Sequence, residues 1–237
     1  MDSSTVIKNV LKKYQENELI FASILYKTQL SNQITETAFY KSLERMCKAE
    51  ELVKISKGTY YLPKISKYGV VPPSEKEIVF EFTKNETGTV VGYSLYNSLN
   101  LTTQVSKSIE VMSSSIESFT KTIRNITVHQ VQLGYNENVK NMIHSLEVLQ
   151  NYYNIQDINN IAFIEFTKKI SNWYNEEIFK KVIQTINYKK STIAFLQEIL
   201  NYYGVKNNLK NYLSSLSEYK YPKMEELYES THTSRTI

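Results

Sequence analysis

Apolar Phe39, Leu43 and Met46 recur at the spacing of one helix face, while Thr37, Lys41, Glu44, Arg45 and Lys48 take the opposite face. Thr35 stands where an N-cap hydroxyl would start that helix. Just beyond it, Leu52-Val53-Lys54-Ile55-Ser56 alternates like a strand, Lys57-Gly58 makes a turn and Thr59-Tyr60-Tyr61-Leu62 returns. Glycine suits the turn because it accepts positive φ without a Cβ clash. Upstream, 5–15 reads as a helix with Val6, Val10 and Leu11 inward and Lys8, Lys12 and Lys13 outward. Leu19-Ile20-Phe21 is extended, 22–30 is a second helix and 31–35 is the turn into the third. This order, with a helix followed at once by a small basic hairpin, predicts a winged helix-turn-helix over 1–69. Val70-Val71-Pro72-Pro73 would be the linker, since paired prolines resist helix.

The pattern changes after the prolines. Residues 74–85 predict a helix with Ile78, Val79 and Phe82 on one face; 87–92 predict a turn and strand, and 93–99 a short helix with Tyr96 and Leu99 inward. Strands are expected at 108–113, 119–123 and 127–133. From 136 the period is helical, giving helices at 138–151, 157–173, 176–187, 190–203 and 206–216, with Gly204 as a stop signal. The polar end, 229–237, predicts a frayed tail. The fold class is therefore α+β: a winged helix-turn-helix, a mixed α/β region and a C-terminal helical region. The last two should share one domain over 74–220, because neither could bury its apolar faces alone.

Charge sharpens the first of these regions. The chain has 28 basic and 24 acidic side chains, a net charge of +4, which alone points to no nucleic-acid partner. Residues 1–69 hold 11 basic against 7 acidic residues, and the rest hold 17 of each, so the whole excess lies in the first region. No acid occurs between Glu51 and Glu75, where Lys54, Lys57, Lys64 and Lys67 fall. Four lysines on a hairpin can be simply a solvated surface. Next to an amphipathic helix with a cationic face, they predict duplex DNA as partner. Thr37, Lys41, Arg45 and Lys48 would enter the major groove, with Thr35 near phosphate, and Lys54, Lys57 and Lys64 would touch the backbone.

Other chemistries are poorly served. His129, His144 and His232 are scattered, with no paired Cys/His spacing, so no metal and no cofactor is expected. Six glycines form no phosphate-cradling or nucleophile-elbow motif. The carboxylate pairs Glu50-Glu51, Glu176-Glu177 and Glu225-Glu226 are adjacent and diverge on a helix. No convergent catalytic set can be named, so the expectation is not an enzyme. The single cysteine, Cys47, reads as a small core residue; with no apolar run of spanning length and no signal-peptide core, the reading is cytoplasmic.

Several segments resemble one family. Lys54-Ile55-Ser56-Lys57-Gly58-Thr59-Tyr60, followed by Pro63-Lys64-Ile65-Ser66 and Gly69, is similar to the wing and exit of AbiEi-like antitoxins of type IV toxin–antitoxin and abortive-infection systems. Leu43-Glu44-Arg45-Met46 resembles the core of their recognition helix, Leu99 to Val105 their Leu-Gly-Leu-Ser-Thr-Gln-Val segment, and 191–205 their C-terminal antitoxin domain. Glu50-Glu51 stands where that family usually has glycine, and Ser106 where it often has proline. The resemblance implies an antitoxin that represses its own operon, through inverted repeats in the promoter, and neutralises a nucleotidyltransferase toxin without needing a stable complex with it. A stand-alone winged-helix transcriptional regulator with a ligand- or partner-sensing C-terminal domain is the alternative.

Overall fold

A computed structural model describes residues 3–233 and confirms the α+β class. The chain divides into two compact units. The first comprises residues 1–81 together with 122–126; the second comprises 82–121 and 127–237. The division after Glu81 lies beyond the expected boundary at 69, because the strands and helix that follow Pro63 fold with the first unit.

In the first unit, α1 (Ser3–Leu11) precedes β1 (Leu19–Phe21), α2 (Ala22–Leu25), a π-turn (Tyr26–Leu30) and α3 (Glu36–Lys48). Strands β2 (Val53–Ser56) and β3 (Thr59–Tyr61) complete an antiparallel sheet of order β1-β3-β2. Its register pairs Ile20 with Tyr60 and Lys54 with Tyr60 across the two edges of β3. One core holds Val6, Ile7, Leu11, Ile20, Leu25, Leu30, Phe39, Leu43, Met46 and Leu52; on α1 the fully buried position is Ile7, and Val10, expected inward, is half-buried. Fully burying each large aliphatic or aromatic side chain contributes roughly 1.5–3 kcal/mol. Helix α1 stops at Leu11 rather than near residue 15, and Lys8 on its outer face pairs with Glu51 at 2.7 Å.

Val70 and Val71 of the expected linker belong to a strand, whereas Pro72 and Pro73 lie in no element. Lys64–Ser66 (β4) and Gly69–Val71 (β5) form a separate antiparallel ribbon, with Ile65 opposite Val70. Helix α4 (Glu75–Thr83) follows, its N-terminus closed by a reciprocal pair: Ser74 N donates to Glu77 Oε2 at 2.6 Å and Glu77 N to Ser74 Oγ at 3.3 Å.

Then come β6 (Gly88–Val91), α5 (Gly92–Ser98), β7 (Ile109–Ser113), β8 (Thr120–Ile123) and β9 (Ile126–Gln130), in the sheet order β6-β7-β9-β8, all in the second unit except the facing ends of β8 and β9 within 122–126. The remaining helices are α6 (Glu137–Asn151), α7 (Asn160–Trp173), α8 (Glu176–Thr185), α9 (Lys190–Tyr202) and α10 (Met224–Thr233). Helix α6 packs against α7, α8 and α9, burying Val139, Met142, Ile143 and Leu146 in the common core. Asparagines 136, 159 and 175 accept backbone N–H bonds at the starts of α6, α7 and α8. The Leu99–Val105 segment is held in place here: Thr102 Oγ1 donates to Gln156 O and Gln104 Nε2 to Asp157 Oδ2, each at 2.6 Å.

One expectation at the C-terminus is corrected. Residues 206–216 form only a short 3-10 turn, Leu209–Tyr212. Asn207 bonds locally, donating to Val205 O and accepting from Leu209 N, which competes with helix, and Leu216 is left exposed. Conversely, α10 occupies most of the stretch expected to fray. Met224 and Leu227 bury one face of it, and Tyr228 stacks on Tyr202 at 5.4 Å. Residues 234–237 of that expected tail lie outside the described residues. No helix among those described is long and apolar enough to cross a membrane.

One half-buried histidine should make the second unit acid-sensitive. His144 Nε2 lies 2.7 Å from Thr89 Oγ1. Burial first, and the Lys140 charge second, lower its pKa from 6.5 to about 4. The unfolded chain therefore binds a proton that the folded one refuses. The associated stability is complete above pH 6.5 and is lost as pH falls toward 4, amounting to about 3 kcal/mol. Glu147, whose carboxyl burial holds above its usual range, acts in the opposite sense as pH rises above 4.5. Urea unfolding at pH 7 and pH 4.5 should show a smaller pH-dependent loss in His144→Gln than in the parent. Equal losses would exclude His144 as the source.

Candidate nucleic-acid interface

Helix α3 begins where Thr35 Oγ1 accepts from Ala38 N at 3.3 Å, so this hydroxyl serves as the anticipated cap. Phe39, Leu43 and Met46 are buried, which turns Thr37, Lys41, Glu44, Arg45 and Lys48 outward. The helix stops at Glu50, which takes the left-handed conformation (φ 58°) that glycine adopts without cost. Glu51 N then bonds back to Met46 O at 3.0 Å. That turn directs the chain straight into β2.

The β2–β3 hairpin is closed by Lys57-Gly58, with Gly58 at φ 69° and Ser56 opposite Thr59. A register irregularity between Lys54 and Ser56 bends the strand. Lys54, Lys57 and Lys64 are all exposed.

All eight residues expected at the interface are thus at the surface of the first unit, but they are not equivalent. Thr35 spends its hydroxyl on the cap. Lys48 pairs with Glu44 at 3.1 Å, so this carboxylate neutralises one of the cations of the helix face. Lys41, Arg45, Lys54 and Lys57 form no salt bridge among the described residues. Such unpaired surface cations are suited to phosphate oxygens or to guanine edges.

Sequence reasoning missed three surface groups. Tyr40 is exposed within the outer face of α3, and its position between Thr37 and Glu44 in the 3–4 spacing could have identified it. Lys67 and Tyr68 occupy the turn of the β4–β5 ribbon, with Lys67 Nζ 4.8 Å from the Tyr68 ring centroid. Lys67 was visible as a charge, but nothing in the sequence marked a hairpin around it.

Cys47 borders this region, partly exposed, and burial raises its thiol pKa, the opposite of what a nucleophile needs. Among the described residues no group of three His, Cys, Asp or Glu side chains is placed to hold a metal ion.

Residues 6–193 match the family model described as a family of unknown function, DUF6088. The chain belongs to the DUF6088 family. The match begins inside α1 and ends inside α9, so it takes in α3, both hairpins and the sheet of the second unit. No curated protein matches this DUF6088 member.

Proposed function

We propose that the first unit is a winged helix-turn-helix that binds double-stranded DNA. In this reading α3 lies in the major groove and the β2–β3 hairpin rests on phosphates as the wing. The observation that carries it is the unpaired cationic face of α3, Lys41 and Arg45, leading at once into a hairpin with no acid between Glu51 and Glu75. The three-helix arrangement with a β1-β3-β2 sheet supports it, since that topology presents one helix and one hairpin together.

The resemblance to AbiEi-like antitoxins extends the proposal. The chain then acts in the cytoplasm as the antitoxin of a type IV system, repressing its own operon at inverted repeats through the first unit. The second unit counters a nucleotidyltransferase toxin encoded alongside, with no stable complex required.

Two assays on the full chain test both parts. Lys41→Ala/Arg45→Ala should abolish repression of a reporter driven by the upstream DNA, while cells expressing the neighbouring nucleotidyltransferase are still rescued. Both side chains lie on the exposed face, so stability should change by less than about 0.5 kcal/mol. Rescue that fails together with repression, in a folded variant, would overturn the division of labour. A locus without a nucleotidyltransferase frame would favour the stand-alone regulator.

A further inference from the structure

We propose that the β4–β5 ribbon is a second DNA-contacting element whose Lys67-Tyr68 tip enters the minor groove. The inference rests on the DNA-binding reading of the first unit and adds a groove and two residues to it.

The ribbon is unusual in what it exposes. It pairs with no other strand, and an isolated two-stranded hairpin is marginal in water. Ile65 is 74% exposed and its cross-strand partner Val70 47%, so an apolar pair stands in solvent on one face. Tyr68, at the tip, is 88% exposed. The tip itself is nevertheless shaped. Ser66 Oγ donates to Gly69 O at 3.0 Å and accepts from Tyr68 N at 3.1 Å. Gly69 takes φ 105°, which a residue with a Cβ rarely adopts. These bonds close a two-residue turn and hold Lys67 and Tyr68 at its apex.

Place and charge select the occupant. Val70 lines a hollow of about 430 Å³ together with Cys47, Lys54 and Tyr61. That sets the ribbon beside the C-terminal end of α3 and the strand carrying Lys54. Lys64 and Lys67 belong to the acid-free stretch, so the ribbon offers cations with no carboxylate of its own. Lys64 already has the Glu77 carboxylate within electrostatic reach, so the cation left to a partner is Lys67 at the tip, which an apolar protein face would leave unmatched. A polyanion matches it, and the minor groove, about 6 Å wide, admits a narrow tip where no helix fits. An aromatic side chain there can wedge against a base step while the neighbouring lysine meets the phosphates or the groove potential.

The test uses the full chain and duplex DNA from upstream of its own reading frame. Lys67→Ala/Tyr68→Ala should leave the melting temperature unchanged, since both side chains are solvent-facing. It should weaken binding on the order of 10- to 100-fold and reduce the salt slope by about one. Dimethyl sulfate protection of guanine N7, in the major groove, should persist, whereas hydroxyl-radical protection of the adjoining minor groove should disappear. Netropsin, a minor-groove ligand, should compete with the parent protein and much less with the variant. Unchanged affinity and footprint in the variant, with guanine N7 still protected, would overturn the ribbon proposal and leave the α3 reading intact. Parent protein that binds no duplex would overturn both. A variant that turns a sedimenting dimer into a monomer while keeping minor-groove protection would also overturn it, assigning the ribbon to a second copy of the chain.

Discussion

Replacing Gly88 by alanine should unfold the second unit at denaturant concentrations the parent protein withstands. Gly88 opens β6 opposite Ser113. A Cβ at this position would meet the Phe82 carbonyl oxygen, the Met112 carbonyl oxygen at 2.5 Å and Ser113 Cβ at 3.0 Å. Two of these are backbone atoms, which cannot rotate away. The Phe82 oxygen is also held from the other side: the buried Ser113 Oγ donates to it at 2.8 Å and lies 2.9 Å from Thr87 O. Admitting one methyl group therefore means parting β6 from β7. Overpacking of this kind costs about 3 kcal/mol or more when backbone has to move. The single tryptophan, Trp173, lies in α7 beside Phe166, so its fluorescence follows the second unit. A urea midpoint within error of the parent's would show that β6 and β7 can separate freely, contrary to the packing described.

Replacing Lys54, Lys57 and Lys64 together by alanine should produce the largest loss of DNA affinity. Each phosphate neutralised by a side chain releases counterions and steepens the dependence of log K on log salt by about 0.9. Three lost contacts should flatten the slope by nearly three units. At 0.1 M salt that amounts to on the order of 10²- to 10³-fold weaker binding. The loss should be the same on operator and random duplex, because phosphates carry no sequence. All three residues are exposed, so folding should be untouched. Arg45→Ala differs in kind: it should cost about 1–3 kcal/mol on a specific site and little on random DNA, if its guanidinium reads a guanine. A triple variant with the parent's slope would remove both the β2–β3 hairpin and Lys64, which stands on β4, from the interface.

What could be read from the residues was what short-range physics decides. The period of Phe39, Leu43 and Met46, the Thr35 cap and the Gly58 turn each act within one segment, so α3 and the β2–β3 hairpin were legible and emerged within a residue or two. The β4–β5 ribbon was hidden because its flanks, Pro63 and Pro72-Pro73, signal a linker. Its two strands of three residues are too short for alternation to show. Its closure rests on a serine, Ser66, that could equally belong to any loop. The stretch 206–216 failed for the opposite reason. Leu209, Leu213 and Leu216 keep helical spacing, yet local asparagine bonds and the packing of Leu209–Tyr212 against α9 decide the outcome. Of the interface, the cations were evident from charge alone; that Glu44 neutralises Lys48 depends on rotamers no sequence displays.

The first unit takes in residues 122–126 as well as 1–81. Within it, Arg124 Nη1 donates to Pro73 O at 2.7 Å, and Asn125 Nδ2 to Glu75 Oε1 at 2.8 Å. The first bond uses a main-chain carbonyl and survives any sequence at 73; the second needs the glutamate. Recombination between two family members with a single crossover after Glu75 would therefore join one parent's Glu75 to the other parent's 122–126, and strand whichever of Asn125 and Glu75 lost its counterpart. A crossover before Pro73 would keep that pair from one parent. In such lineages the segment 73–126 should be inherited as a block, travelling separately from helix α3 and the β2–β3 hairpin.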